Sequence, residues 1–160
     1  MSVNPVATQV PQGIKKLQDG AKTFGVTILP VIANSPAEFN AAFAMMAKQK
    51  ATALMVEHTV VFDFHREKIA ELVATQRLPA IYRSGLYVES GGLLSYGAND
   101  EYFFEHAATF VDKILKGAKP GGLPVEQATK FELLVNMKTA KALGITIPQE
   151  ILLRADRVIE

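Results

Sequence analysis

The sequence predicts an α/β fold, in which a parallel sheet is flanked by helices. Short apolar runs rich in β-branched and aromatic residues alternate along the chain with longer amphipathic segments. The apolar runs are about five residues long, which is the usual length of a strand. Strict alternation of this kind is typical of βαβ units, whose parallel strands are covered by helices on both faces. We therefore expect a flavodoxin-like lobe.

Helices are predicted where apolar positions recur with helical periodicity. The second predicted helix has the clearest start, because Ser35-Pro36-Ala37-Glu38 offers Ser as N-cap, Pro at the first helical position and Glu for a reciprocal cap. Gly25 and Gly117 are expected to end the first and fourth helices. The predicted helices cover 8–24, a segment from 35 onward, 64–76, and a segment from 99 or 100 to 117.

Strands are predicted at 26–32, 53–57, 80–83, 93–96 and 131–136, with further helices at 138–143 and 149–158. A βαβ series should open with a strand before the first helix, yet only Val3, Asn4 and Pro5 stand there. We therefore predict that the first strand is missing. In a flavodoxin-like order that strand is central, so we expect a non-standard edge, a swapped segment or a dimer contact to compensate.

The composition predicts one compact domain and excludes several classes of function. The chain has 160 residues, of which 49% are hydrophobic, and this is enough to build a core. With 17 basic and 16 acidic residues the net charge is only +1, so no nucleic-acid partner is expected. No apolar stretch approaches the roughly 18 residues that would span a bilayer. The absence of cysteine excludes disulfides and thiolate chemistry.

No catalytic or cofactor motif is recognisable in the sequence. The loop serines lie outside GxSxG, and the glycine pairs at 91–92 and 121–122 match neither a Walker loop nor GxGxxG. The histidines lack metal-site spacing. His58 and His65 are either ligand contacts or ordinary loop and helix-start residues, and His106 is expected to be solvated. We therefore predict no enzyme, no metal and no cofactor.

Polar and aromatic residues follow the predicted strands, where an open parallel sheet usually binds its ligand. Tyr82 and Tyr96 are suited to stack on a flat ligand, and Arg83 is suited to pair with a carboxylate. The amides at the start of the fourth helix are suited to bind an anion. Alternatively, the tyrosines are packing residues and Arg83 is a solvated charge. The predicted ligand-binding residues are Thr59, Phe62, Tyr82, Arg83, Ser84, Tyr96 and Asn99.

Four segments carry a resemblance to one protein family. They are KGAKPGGLPVEQATKFELLVNMKTAKALGITIP at 116–148, LPAIY at 78–82, GGLLSYGAN at 91–99 and RAD at 154–156. In these segments the chain resembles the solute-binding components of bacterial ABC importers, in the branch that includes aromatic amino-acid receptors. The resemblance covers most of this chain but only the second half of such a receptor.

The resemblance implies one lobe of a type I periplasmic-binding-protein fold, which captures a small solute such as an amino acid without catalysis. It also implies an ABC permease as partner, and a periplasmic location or a lipoprotein anchor. We expect 1–97 to form the α/β lobe. We expect 98–160 to form a crossover helix and a terminal strand and helix that pack on an absent lobe or a partner chain. Self-association of the chain is expected for the same reason.

The amino terminus lacks the charged start, apolar core and cleavage site of a secretory signal. We therefore expect a mature fragment, a truncated form or a shortened gene product. Two other classes of function stay open. One is a ligand-sensing regulatory module with the same lobe architecture. The other is a flavodoxin-like enzyme fragment, although nothing in the sequence supplies its phosphate loop.

Overall fold

The structure is a computed structural model, and it describes residues 10–126 and 130–160, without the side chains at 10–12, 100, 101 and 103. The prediction of a missing first strand concerns the segment before the first helix. That segment, and the first two residues of the predicted first helix, lie outside the described residues.

Five strands of the described residues form one sheet. They are β1 (Leu54–Val56), β2 (Ala80–Tyr82), β3 (Leu94–Ala98), β4 (Phe131–Asn136) and β5 (Arg157–Ile159). Their order in the sheet is β1-β2-β3-β4-β5. The pairs β1–β2, β2–β3 and β4–β5 are parallel, whereas β3 and β4 are antiparallel. The predicted α/β class with a mostly parallel sheet is confirmed, and β4 is the exception to the predicted parallel order.

Helices connect the strands and flank the sheet. They are α1 (Val10–Lys22), α2 (Phe39–Lys48), α3 (Val60–Phe64), α4 (Arg66–Thr75), α5 (Gly85–Glu89), α6 (Asp100–Leu115), α7 (Met137–Leu143) and α8 (Gln149–Arg154). Short 3₁₀ turns lie at Pro36–Glu38 and Pro120–Gly122. Gly25 and Gly117 have φ angles of 66° and 99°, so both adopt the left-handed conformation that was predicted to end their helices.

The start of α2 differs slightly from the predicted reciprocal cap. Ser35 precedes the 3₁₀ turn, and α2 begins at Phe39. The Glu38 carboxylate accepts a hydrogen bond from the Ser35 hydroxyl at 3.1 Å and another from the backbone N–H of Asn34 at 2.9 Å. Glu38 therefore does bond back across the start of the helix, but to the backbone of the residue before Ser35.

The core lies between α2, α4 and one face of β1 and β2. Leu54, Val56, Ala80 and Tyr82 point to this face, and each is 3% exposed or less. The intervening residues, such as Met55, are only partly buried. The second face of the sheet is therefore less covered than the prediction of two buried faces implied. The buried cluster also contains Val31, Ala33, Phe39, Ala42, Phe43, Met46, Phe62, Ile69, Val73, Leu78 and Tyr87.

Two predicted elements before β2 differ from the structure. The segment 26–32 forms no strand and has only a single β-bridge residue, Val31. Its expected neighbour was the segment before the first helix, which lies outside the described residues. Pro30 also lacks a backbone donor. The predicted helix 64–76 is instead two helices, α3 and α4, which meet at His65 with φ −111° and ψ 24°.

Two further differences occur after β2. The helix α5 was not predicted, because five residues are too few to show a helical period. The predicted helix 149–158 ends at Arg154, and β5 follows. Asp156 explains this ending, since its backbone N–H donates to the carbonyl of Leu133 at 2.9 Å while its carboxylate accepts from the Leu133 N–H at 2.8 Å. Pairing with β4 overrides the helical pattern here.

The second predicted part of the chain, 98–160, divides between the sheet and an outlying helix. β4 and β5 extend the sheet that β1 to β3 begin. By contrast, α6 makes only slight contact with the other described elements. It exposes a row of apolar side chains, called the α6 stripe below, that consists of Phe104 (74% exposed), Val111, Ile114 and Leu115 (81% exposed).

Candidate ligand-binding edge

Three loops meet at one edge of the sheet, because β1, β2 and β3 are neighbours that run in the same direction. The chain passes from β1 into α3, from β2 into α5 and from β3 into α6. The predicted site residues lie at these junctions or in the adjoining strands and helices. The structure therefore brings them to the end of the sheet at which β1, β2 and β3 have their carboxyl termini. We call this end the carboxyl edge.

Thr59 and Ser84 are the N-cap residues of α3 and α5. The Thr59 hydroxyl accepts a hydrogen bond from the N–H of Phe62 at 3.1 Å, and the Ser84 hydroxyl accepts one from the N–H of Leu86 at 3.3 Å. Such caps contribute about 1 kcal/mol each. A hydroxyl that accepts a bond from the backbone keeps its own hydrogen. Each of these residues therefore retains one donor for a ligand.

Asn99 caps α6 and joins it to β4. Its Oδ1 accepts from the N–H of Tyr102, and its Nδ2 donates to the carboxylate of Glu132. The backbone N–H of Asn99 also donates to the carbonyl of Lys130 at 3.1 Å. One of the helix amides that was predicted to bind an anion is therefore already satisfied by the cap, and the Asn99 side chain has a structural role.

Phe62 and Tyr82 lie in the core beneath the carboxyl edge. Phe62 is 2% exposed and meets Phe39 edge-on, with ring centres 5.8 Å apart. Tyr82 is 1% exposed and stacks on Tyr87, with ring centres 4.5 Å apart and planes inclined by 13°. The interpretation of Tyr82 as a packing residue, which the sequence left open, fits this burial. Both rings are therefore packed in the core next to the loops of the carboxyl edge.

The pKa values of the two stacked tyrosines, Tyr82 and Tyr87, are both raised. Burial raises the pKa of the Tyr82 phenol well above its usual range. Burial also raises the pKa of Tyr87, and the negative charge of Asp63 adds to this effect. Within the described part of the chain the Tyr82 hydroxyl has no hydrogen-bond partner. Both phenols therefore stay protonated at physiological pH.

Arg83 is exposed immediately after β2, and its backbone packs closely against β3. A Cβ atom on Gly97 would lie 1.9 Å from the carbonyl oxygen of Arg83 and 2.9 Å from its carbonyl carbon. No side chain fits at such distances. Glycine at this position lets the ends of β2 and β3 approach each other, so the Arg83 backbone has a fixed place at the edge while its guanidinium lies in solvent.

Tyr96 forms an exposed aromatic pair with Phe131. Tyr96 on β3 is 54% exposed, and Phe131 on β4 is 47% exposed. Their rings stack with centres 5.7 Å apart and planes inclined by 21°. Aromatic rings that are half exposed offer a flat apolar surface to a ligand or a partner. Of the predicted site residues, Tyr96 and Arg83 are the two with exposed side chains.

The histidines lie close to the edge or on α6. His58 Nδ1 lies 2.9 Å from Oδ2 of Asp63, which helps to hold the loop after β1. His65 lies at the junction of α3 and α4. His106 was predicted to be solvated, but it is only partly exposed, and its Nδ1 lies 3.1 Å from the Glu126 carboxylate. The pairing with Glu126 could not be foreseen, because the two residues lie in different elements.

A cavity of about 310 Å³ lies at the opposite edge, where β2 and β3 begin. The turn at Gly91 and Gly92 lines it, together with the ends of α4 and α7. Polar groups around it bond to one another, since the Thr139 hydroxyl donates to the Gly91 carbonyl and Arg77 Nη2 donates to the Ala142 carbonyl, both at 2.9 Å. This cavity contains none of the predicted site residues.

Two further features are absent from residues 10–126 and 130–160. No group of three or more histidine and carboxylate side chains there has an arrangement that could hold a metal ion. In the same residues, no helix combines the length and the apolar character that crossing a membrane requires.

Sequence reasoning missed Phe131 and the tight contact at Gly97. Phe131 was assigned to a strand, but nothing local showed that this strand pairs with β3 in the antiparallel sense. Gly97 could have been recognised, because a glycine inside a strand often marks a close approach of another backbone. The structure places the exposed Arg83 directly after β2, and the exposed aromatic pair on β3 (Tyr96) and β4 (Phe131), the next two strands of the sheet.

Comparisons with known proteins point to one family. Residues 1–159 match the family model described as ABC transporter substrate binding protein. No curated protein matches the chain. Among solved structures, a conserved domain protein from Vibrio cholerae is 25% identical with a TM-score of 0.87, and the match covers 98% of this chain and 53% of that one.

Two other solved structures share the fold. An ABC domain in complex with L-Trp from Streptococcus pneumoniae is 23% identical with a TM-score of 0.88, covering 99% of this chain and 53% of that one. The ligand-free, open structure of a substrate-binding protein with adhesive properties from Clostridium difficile is 21% identical with a TM-score of 0.67, covering 99% and 52%. The chain thus spans about half the length of these proteins.

The sheet, its helices and the extent of the family match agree with one another. The family model covers nearly the whole chain, and the solved structures reproduce the order of its elements across 98% or more of its length. The protein belongs to the family of ABC transporter substrate-binding proteins.

Proposed function

We propose that this chain forms one wall of a site that binds an amino acid or a similar small solute for an ABC importer, without catalysis. The observation that carries the proposal is the exposed guanidinium of Arg83, whose backbone is held at the carboxyl edge by its contact with Gly97. Open α/β sheets bind ligands at this edge. A guanidinium on a backbone held at this edge is well placed for a two-pronged bond with a carboxylate.

The surroundings of Arg83 favour an amino acid over a simple anion. The exposed pair of Tyr96 and Phe131 offers an apolar surface, and the hydroxyls of Thr59 and Ser84 each retain a donor. Phe62 and Tyr82 support these residues from the core. The structure in complex with L-Trp, with which this chain shares its fold, supports a solute with a carboxylate and an aromatic part.

The second wall of the site would come from another lobe. The chain spans about half of the solved structures, and α6 carries an apolar stripe that lies against no large surface of the described elements. Burial of such a stripe removes apolar area from water and is favourable. In this proposal the stripe packs on the lobe that faces the carboxyl edge, or on a second chain when that lobe is absent.

The family membership supports a proposed partner and location. A substrate-binding protein delivers its solute to an ABC permease, and the proposed location is the periplasm or the membrane surface, with a lipoprotein anchor. The proposal assigns no cofactor to the chain.

The proposal is tested by nuclear magnetic resonance, which detects the weak binding expected of a single wall. The ¹⁵N-labelled chain is titrated with L-Trp and with a panel of other L-amino acids. We expect saturable shifts at the amides of Arg83, Ser84, Tyr96 and Asn99. Indole without the carboxylate should give much smaller shifts. Shifts confined to the opposite edge, or none with any amino acid, would refute the proposed site.

A further inference from the structure

The cavity of about 310 Å³ at the edge opposite Arg83 is bounded by four parts of the chain. They are α4, the turn between α4 and β2, the turn before β3, and α7. All of the lining residues belong to the described chain. The volume lies at the lower end of the range that is usual for small-molecule pockets. We call this cavity the amino-edge cavity, after the amino ends of β2 and β3.

The buried part of the lining is apolar. Ala70 and Val73 on α4, and Leu78 and Leu93 just before β2 and β3, line the cavity and are each 8% exposed or less. Leu143 at the end of α7 is partly buried beside them. Such walls gain free energy when an apolar group takes the place of water. The interior of the cavity therefore suits an aliphatic group.

Two cationic side chains, Arg77 and Lys138, line the same cavity. Both residues are exposed, so their charges lie toward its mouth. The lining contains no aspartate or glutamate. Among the described residues, neither Arg77 nor Lys138 takes part in a salt bridge. The mouth of an apolar cavity therefore carries positive charge without a balancing carboxylate, and this attracts an anionic group.

The guanidinium of Arg77 is held between two helices. Arg77 follows the end of α4, and its Nη2 donates to the carbonyl of Ala142 in α7 at 2.9 Å. A guanidinium has five N–H donors, and this bond uses one of them. Because the group is already oriented, its other donors are well placed for a two-pronged bond with a carboxylate.

The turn before β3 does not compete for this role. The carbonyl of Gly91 accepts from the Thr139 hydroxyl at 2.9 Å, and the N–H of Gly92 donates to the carbonyl of Tyr87 at 2.7 Å. The N–H of Gly91 donates to the carbonyl of Val88 at 3.1 Å. These backbone groups are satisfied within the chain, so the charge of a ligand would be recognised by the two cations.

We propose that the amino-edge cavity binds a medium-chain aliphatic carboxylate, with its chain against the apolar walls and its carboxylate on Arg77 and Lys138. A water molecule takes about 30 Å³ of liquid volume, so a ligand that fills the cavity replaces about ten waters and has about ten non-hydrogen atoms, as octanoate has. A bare anion such as phosphate would leave the apolar walls wet. The cavity lies opposite the carboxyl edge, and the proposal does not depend on solute binding there.

The test titrates the ¹⁵N-labelled chain with octanoate and follows the amide resonances. At the binding energy per atom of drug-sized ligands, about ten non-hydrogen atoms give a Kd of about 5 mM or tighter. We expect saturable shifts at the amides of Gly91, Leu93 and Thr139. Octanol lacks the charge and acetate lacks the chain, so each should bind at least about tenfold more weakly than octanoate.

Two charge variants locate the carboxylate. Lys138→Gln should weaken octanoate binding about threefold, which is the effect of an exposed charge pair. Arg77→Gln should weaken it at least about tenfold, because the two-pronged bond is lost. Octanol binding should stay the same in both variants, since octanol carries no charge. Lys141→Gln is the matched control, because it removes the same charge from an exposed residue of α7 that does not line the cavity.

A third variant fills the cavity without changing a charge. Ala142→Leu enlarges an exposed residue of the lining, and leucine is a good helix former. It should reduce binding of octanoate and octanol alike, because the new side chain occupies part of the space. Arg77→Gln also removes the bond to the Ala142 carbonyl. Should that variant unfold, Lys138→Gln and Ala142→Leu decide.

Three results would overturn the proposal. The first is the absence of saturable shifts at octanoate concentrations several times the expected Kd. The second is octanoate binding that either Lys138→Gln or Ala142→Leu leaves unchanged, because the ligand would then lie elsewhere on the chain. The third is equal binding of octanol and octanoate, because the two cations would then take no part in recognition.

Discussion

Arg83 is the residue on which the proposed solute site most depends. Removal of its guanidinium in Arg83→Ala should weaken binding of the amino acid that gives the largest shifts by about 1 to 3 kcal/mol, because a charge-assisted pair is lost. Calorimetric titration measures the change. Arg154→Ala, which removes an exposed arginine at the end of α8, serves as the control and should leave the affinity unaltered. Equal affinity of Arg83→Ala and the parent chain would exclude this role.

Tyr82 makes stability depend on pH in the alkaline range. Its folded-state pKa is raised by burial, whereas a tyrosine in the unfolded chain loses its proton near pH 10. The unfolded state therefore binds fewer protons as the pH passes about 10, and the free energy of unfolding falls. Below about pH 10 the stabilisation contributed by Tyr82 is fully present. Above about pH 10 the free energy of unfolding of Tyr82→Phe should decline less steeply than that of the parent chain.

Urea unfolding at a series of alkaline pH values measures this difference. Tyr96→Phe is the matched control, since it also removes a phenol but from a ring that is 54% exposed. We expect the control to follow the parent chain. If Tyr82→Phe and the parent chain lose stability in parallel above pH 10, the buried phenol is not responsible.

Gly97 connects two elements, because it allows β3 to lie against the chain that leaves β2. In Gly97→Ala the new methyl group would meet the Arg83 carbonyl at 1.9 Å, and backbone atoms cannot move aside as a side-chain end can. We expect a loss of stability of at least about 1 to 3 kcal/mol, the usual cost of overpacking. The midpoint of urea unfolding reports it.

The control for this prediction is Gly121→Ala. A Cβ at Gly121 would have no atom within 4 Å, so its effect should be small. A Gly97→Ala chain that is as stable as the control would show that β2 and β3 are not packed as closely as described. The contact also matters for the site, since it determines where Arg83 lies relative to β3.

Local signals predicted where several helices begin and end, but not whether the segment 26–32 forms a strand. The stripe of α2 and the glycine ends of α1 and α6 follow from periodicity and from backbone freedom, which are properties of a few neighbouring residues. The segment 26–32 has the composition of a strand but lacks a paired neighbour among the described residues. Strand formation depends on a second segment, and composition does not report whether one is present.

At the scale of the whole molecule, the α6 stripe predicts self-association. Phe104 and Leu115 are among the most exposed apolar residues of the described chain, and burial against a second copy would remove their surface from water. Light scattering of the chain at increasing concentration should show a mass above that of the monomer. The double variant with Phe104→Lys and Leu115→Lys should remain monomeric.

Glu105→Lys, at an exposed polar position of the same helix, is the control for added positive charge and should associate like the parent chain. A parent chain that stays monomeric and well folded at high concentration would contradict the prediction. In that case α6 would be stable without a partner for its stripe.

The sequence alone determined the α/β class, the positions of β1 to β4 and the family, because composition, period and motif order are carried by the chain itself. It also placed the candidate residues after the strands. It did not show which of them reach the surface. Thr59, Ser84 and Asn99 proved to be helix caps, and Tyr82 proved to be buried.

Only the tertiary structure decided how distant segments meet. The antiparallel pairing of β4 with β3 brings Phe131 onto Tyr96, and Gly97 brings the end of β3 against Arg83. Among the described residues, the same packing places β1 at the end of the sheet, next to β2. These features depend on contacts between residues far apart in the chain, whose free energies are set by the shape of the folded molecule and not by any local pattern.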